Sequence, residues 1–182
     1  LCVSEFVRVT RASVQPHVLR RACPELDHGG RTRAGVEVFV QLLGGEPGPM
    51  AESAALAARL GARGIDINFG CPAKTVNNHD GGASILRAPC RIEAIVAAVR
   101  QAVPPAIPVT AKVRLGWESA EHLPEIARNA EAGGAAWLTV HARTRVQLYR
   151  PPVDWAALAR AREAVRIAVV ANGDINTVGD LQ

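Results

Sequence analysis

The chain has 182 residues, 48% hydrophobic and 21% charged, with a net charge of +4. That is ordinary for a soluble protein and enough for one domain with a real core. No apolar run approaches 18 residues, which excludes a transmembrane helix, and no signal peptide is visible. Aromatic residues make up only 4%, which weakens the idea of a stacking platform for single-stranded nucleic acid. The mild positive charge is compatible with an anionic partner. Cys2, Cys23, Cys71 and Cys90 form no CxxC pair. Free thiols, a cytosolic setting and no metal site are therefore expected.

In chain order, "LCVSEFVRVT" (residues 1–10) alternates apolar and polar residues and predicts a first strand. Five buried strands follow: "VEVFVQLL" (36–43), "GIDINFG" (64–70), "IPVTAKVRL" (107–115), "AWLTVHA" (136–142) and "IAVVANG" (167–173). They are rich in Val and Ile, and most run into glycine or polar residues. Between them, Ile92, Ile95, Val96, Val99 and Val103 fall on one helix face, as do Leu123, Ile126, Ala127 and Ala130. Pro124 suits a first helical turn, Gly133-Gly134 a helix stop, and Asp154 an N-cap before "WAALARAREAV". Arg59, Arg100, Arg128 and Arg160 are scattered over helices and read as solvated faces. The chain opens inside a strand and closes just after a helix start, "NTVGDLQ", so a fragment of a longer protein is expected.

Alternating strands and helices imply parallel strands joined by crossovers. No GxGxxG follows the first strands and no P-loop is present. The strand ends decide between an open sheet and a barrel. They carry Gln41; Asn68 and Cys71; Lys112 and Arg114; His141 and Arg143; Asn172 and Asp174. A parallel barrel brings all such ends to one face, where active sites lie. The expected fold is a TIM (β/α)8 barrel, present as about six βα units in a single partial domain over residues 1–182.

Each strand end has a functional and a plainer reading. Gln41 could bond the polar edge of a ring ligand or merely a neighbouring loop. Lys112, with Thr110 and Arg114, lies on one face of its strand. Burying it is costly unless it meets a charge, so an anionic ligand is favoured over a snorkelling side chain. His141 could be a satisfied core histidine, and Arg143 a surface ion pair. With Thr144 they also make a cluster suited to phosphate or an anionic ring. "ANGDI" puts Asn172 and Gly173 at a strand end that could offer backbone N–H groups to phosphate, while Asp174 could be an N-cap. Cys71 could be a buried thiol, a nucleophile or a proton donor. It leads into "AKTVNNHDGG", which is too polar for a core, and no partner favours a metal.

Those residues also carry a longer pattern. "DINFGCPAKTVNNHDGGA" (66–83), followed in order by "KVRLGW" (112–117), "VHART" (140–144) and "VVANGDI" (169–175), resembles the tRNA-dihydrouridine synthase family, most closely its C subtype. The resemblance covers nearly the whole chain, with Ala142 where that subtype usually has Gly. It implies FMN-dependent reduction of a uridine in tRNA to dihydrouridine, with NADPH as reductant, hydride delivery to C6, and Cys71 protonating C5 from a mobile loop. It implies flavin contacts from Gln41, Lys112, His141, Asn172, Gly173 and Asp174, and assigns Asn68 and Arg143 to the substrate side. The family's first barrel strand, eighth strand and C-terminal helical tRNA-binding domain have no counterpart in the sequence. A cytoplasmic monomer is expected. The alternatives are an FMN barrel acting on a small molecule, in the manner of dihydroorotate dehydrogenase, and a non-catalytic RNA-binding remnant.

Overall fold

The structure is a computed structural model that describes residues 1–181. Six strands form one sheet: β1 (Cys2–Arg8), β2 (Val38–Leu43), β3 (Ile65–Asn68), β4 (Val109–Arg114), β5 (Trp137–His141) and β6 (Ala168–Asn172). Every neighbouring pair is parallel, and the spatial order is the chain order, β1 to β6. A doubly wound sheet would reverse direction at a switch point. This one does not, so the chain forms six consecutive βα units of a TIM barrel. The open edges are β1 and β6. They carry Val3, Phe6 and Val170, all largely exposed, where the other four strands bury their apolar residues.

The helices are α1 (Pro16–Ala22), α2 (Pro47–Arg59), the short α3 (Lys74–Asn77), α4 (Cys90–Ala102), α5 (Leu123–Ala132) and α6 (Trp155–Ala164). The main core lies between the outer face of the sheet and these helices. Val40, Ile65, Ile67, Val113 and Val140 meet there with Ile92, Ile95, Val96 and Val99 of α4 and Leu123, Ile126, Ala127 and Ala130 of α5. The helical faces read from the sequence are thus the buried ones. Pro124 stands in the first turn of α5, Gly133 ends that helix, and Gly134 follows at φ +92°. The Asp154 carboxylate accepts the Ala157 amide at 3.0 Å, capping α6.

Three expectations need adjustment. The first strand carries a bulge between Val3 and Phe6, which breaks its alternation. Arg100 is no solvated side chain: its guanidinium donates to the carbonyls of Val103, Pro104 and Ile107, closing the end of α4. The final "NTVGDLQ" gives only a 3-10 turn over Val178–Leu181, and Gln182 lies outside the described residues. No helix among the described residues is long and apolar enough to cross a membrane. Asp154→Ala removes the side-chain cap of α6 and is expected to cost about 1 kcal/mol, read as a lower urea midpoint at unchanged slope.

Candidate active site

The carboxyl ends of β3 to β6 converge on a cavity of about 430 Å³, within the usual range for small-molecule sites. Asn68, Cys71, Lys112, His141, Arg143, Asn172, Gly173 and Asp174 all line it, joined by Phe6, Arg114 and Tyr149. Sheet register brings them together: Asn68 pairs with Lys112, Arg114 with His141, and His141 with Asn172. Gln41 is set deeper, facing the barrel interior beside Asp66 and Thr110.

Lys112 Nζ reaches Asn172 Oδ1 at 3.0 Å and makes no ion pair among the described residues. Burial pulls its pKa below the usual lysine value, and the nearby Asp66 carboxylate opposes that shift. His141 is buried among cations. Burial first, then Arg114, Lys112 and Arg143, push its pKa from 6.5 down to about 4. The imidazole is therefore neutral at pH 7 and can act only as a hydrogen-bonding group, not as a positive charge.

Arg143 is buried and grips Asp174 with both terminal nitrogens, at 2.9 and 2.5 Å, while its Nε donates to the Arg150 carbonyl. Two guanidinium N–H groups remain for a ligand. Asp174 is thus the acid that holds Arg143. Gly173 packs against Trp155 so closely that a Cβ there would come within 2.7 Å of the indole.

Cys71 is half-buried at the start of a loop expected to be mobile. The structure shows that loop tied down at several points. Arg114 Nε donates to the Gly70 carbonyl at 2.8 Å, and Arg145 to that of Pro72 at 3.1 Å. Arg8 donates to the Thr75 carbonyl, and the Asn77 amide bonds Cys71 O, Ala73 O and the Ser84 N–H. Gly82, at φ +60°, lets the loop close on itself, because a Cβ there would lie 2.8 Å from the Cys71 carbonyl. Arg145 is further held against the face of Trp117, 4.7 Å from the ring centroid, with Arg87 also over that ring at 3.7 Å.

Sequence reasoning placed Arg114 among the strand ends without giving it a role, and passed over Tyr149. Arg114 is among the largest fully buried side chains. Besides Gly70, it donates to the carbonyls of Thr144 and Leu148, at 3.1 and 2.7 Å. Its position on the inward face of β4 beside Lys112 was the available signal. Tyr149, 69% exposed, has no periodic context that marks it. Asp66 was likewise only a motif letter, yet it is a buried acid inside the barrel. It accepts Thr110 Oγ1 at 2.5 Å and Gln41 Nε2 at 2.7 Å. Burial raises its pKa, and those two donors and Lys112 work against the rise.

The arrangement defines a class: a βα-barrel with a candidate site at its strand ends, where three cationic side chains, Lys112, Arg114 and Arg143, a neutral imidazole and a thiol share one cavity. Among the described residues no cluster of acids, histidines and cysteines is suited to a metal ion. Residues 1–182 match the family described as "Dihydrouridine synthase (Dus)" throughout. The chain is a member of the dihydrouridine synthase family. It is 51% identical over 179 residues to the "tRNA-dihydrouridine(16) synthase" of Pseudomonas putida, covering 98% of this chain and 55% of that protein. It is 52% identical over 176 residues to the protein of the same name from Vibrio parahaemolyticus, covering 96% and 55%. The chain thus spans just over half the length of these curated relatives. Among solved structures it resembles a variant of NCR from Zymomonas mobilis, with TM-score 0.62, 15% identity, and coverage of 99% of this chain and 65% of that one. It also resembles oxaloacetate acetylhydrolase, with TM-score 0.53, 15% identity, and coverage of 92% and 56%. These two likenesses concern the fold alone.

The depressed His141 pKa sets a pH dependence. Between 6.5 and about 4 the unfolded chain binds a proton that the folded one refuses, so the His141 contribution to stability falls as pH drops through that window. NMR of the His141 ring is expected to show no titration from pH 8 to 5.5. A midpoint near 6.5 contradicts the burial argument.

Proposed function

We propose that the protein containing this chain reduces the C5=C6 bond of a uridine in tRNA to 5,6-dihydrouridine, using FMN and NADPH, with Cys71 as the proton donor. The observation that carries the reading is the thiol of a family member held at the rim of a cavity rich in cationic groups. The residues fit a flavin nucleotide. Lys112 and Arg114 suit the anionic edge of its ring system, and neutral His141 can donate an N–H there. Asn172 and Gly173, beside the Arg143–Asp174 pair, would suit its phosphate. Gln41 contributes from beneath.

When bound, FMN supplies the hydride that no side chain can carry, with NADPH as the source of electrons. The target base must leave its stack to enter the cavity. Asn68, which keeps one N–H and one lone pair beyond its internal bonds, is suited to the polar edge of the uracil, and the remaining N–H groups of Arg143 to its other acceptors. As C5=C6 is reduced, the Cys71 Sγ–H bond breaks and its proton forms the new C5–H bond. Cys71 is left as thiolate and regains a proton from solvent. Its loop needs to hold the thiol steadily over one face, which the bonds from Arg114, Arg145 and Asn77 favour. A reducing cytoplasmic setting would keep that thiol available.

In the whole protein, further strands between β6 and β1 would close the barrel and cover Val3, Phe6 and Val170. A helical domain would supply most of the grip on tRNA. The exposed apolar residues on the two edges and the greater length of the relatives support that arrangement. A monomer is sufficient for this chemistry.

Cys71→Ala in the full-length protein is expected to retain flavin absorbance while losing at least about 100-fold in uridine reduction, within the usual range for a general acid. Mass spectrometry of tRNA nucleosides reads the product. Undiminished dihydrouridine removes Cys71 from the role of acid.

A further inference from the structure

Asp66 sits inside the barrel at 4% exposure and has no part in the reaction described above. Its neighbours are fixed by sheet register: Gln41 pairs with Asp66, and Asp66 with Thr110. Its Oδ1 accepts the Thr110 hydroxyl and its Oδ2 the Gln41 amide nitrogen. Because the nitrogen end of Gln41 faces this carboxyl group, its oxygen end faces away. That oxygen accepts from Asn68 Nδ2 at 2.9 Å. The Asn68 oxygen is then turned toward the Gly70 N–H, which it accepts at 2.9 Å. Each bond direction follows from the one before, so four residues make one directed chain from the barrel interior to the residue preceding Cys71.

We propose that Asp66 is a positioning residue which, through Gln41, sets the orientation of the Asn68 amide and thereby the tether on Gly70 beside Cys71. The catalytic meaning of this rests on the function proposed above; the geometry does not. Both polar ends of Gln41 serve the chain, and the remaining N–H and lone pair of Asn68 are aimed by it. Asp66→Leu keeps a side chain branched at the same carbon but offers no acceptor. Nothing then draws the nitrogen end of Gln41 inward, so the chain loses its direction.

The cysteines of this protein supply the test. In the full-length protein under native conditions, the iodoacetamide alkylation rates of Cys71, Cys23 and Cys90 are followed by mass spectrometry. The comparison covers wild type, Asp66→Leu, Asn68→Ala and the double variant. Cys23 is buried and reports loosening of the fold, while Cys90 is exposed and serves as the reference. Asp66→Leu is expected to speed Cys71 alkylation at least about threefold, with Cys23 closed and the reference unchanged. Adding it to Asn68→Ala is expected to give no further change, as for residues acting through one path. An unchanged Cys71 rate, or effects that multiply in the double variant, overturns the proposal. If Asp66→Leu opens Cys23, Gln41→Met decides. That variant keeps the Asp66 carboxyl and the length of the side chain but cuts the path at its second link, and faster Cys71 with closed Cys23 supports the proposal, while no change overturns it. Asp66→Leu assayed for uridine reduction is expected to lose about tenfold in kcat with little change in KM for tRNA. An inactive wild-type protein defeats the proposed function and leaves the alkylation result standing.

Discussion

One buried guanidinium organises the mouth of this barrel. Arg114 ends β4, is 2% exposed, and has no acid among its hydrogen-bond partners. Removing such a cation from water is expensive, and burial accordingly lowers its pKa. The compensation is three charge-assisted bonds to main-chain carbonyls, each worth roughly 1.5–3 kcal/mol. Those carbonyls belong to two loops, Gly70 after β3, and Thr144 and Leu148 after β5. The planar fork of arginine can reach several acceptors in fixed directions, which the point charge of lysine cannot. Arg114 thereby joins the loop that carries Cys71 to the loop that carries Tyr149, whose ring lies 5.2 Å from the guanidinium.

The same charge shapes the chemistry of its neighbours. Burial first, then Arg114, Lys112 and Arg143, hold His141 neutral. Positive potential in the cavity comes from the lysine and arginines, and the imidazole is left as a hydrogen-bonding group. Below this cationic layer runs a layer of opposite character, in which the Asp66 carboxylate orders the amides of Gln41 and Asn68. The barrel interior thus stacks an acid beneath a set of cations, and Lys112 lies between the two fields.

Strand positions and helix faces were legible because period 2 and period 3.6 are strong signals. Ile92 to Val99 and Leu123 to Ala130 became the buried faces they promised. The site was legible at strand ends, where a barrel's topology alone brings polar residues together, and Asn68, Cys71, Lys112, His141 and Asn172 do share one cavity. What stayed hidden depends on pairing across distance. The pairing of Arg143 with Asp174, 31 residues on, has no local signature. The Cys71 loop was expected to be mobile because the family resemblance implies an acid carried on a moving loop. Its restraints come from Arg8, Arg114 and Arg145, which no local pattern assigns to it. Arg100 looked solvated because the carbonyls it closes have no signature in the sequence.

The direct measurement is amide hydrogen exchange on the full-length protein with and without Arg114→Met, a swap that keeps the chain's length and removes its donors. Joint loss of protection in the loops of residues 69–83 and 143–150, with α4 and α5 unchanged, is the result that follows from a single guanidinium holding both. Loss in only one loop, or in neither, contradicts it.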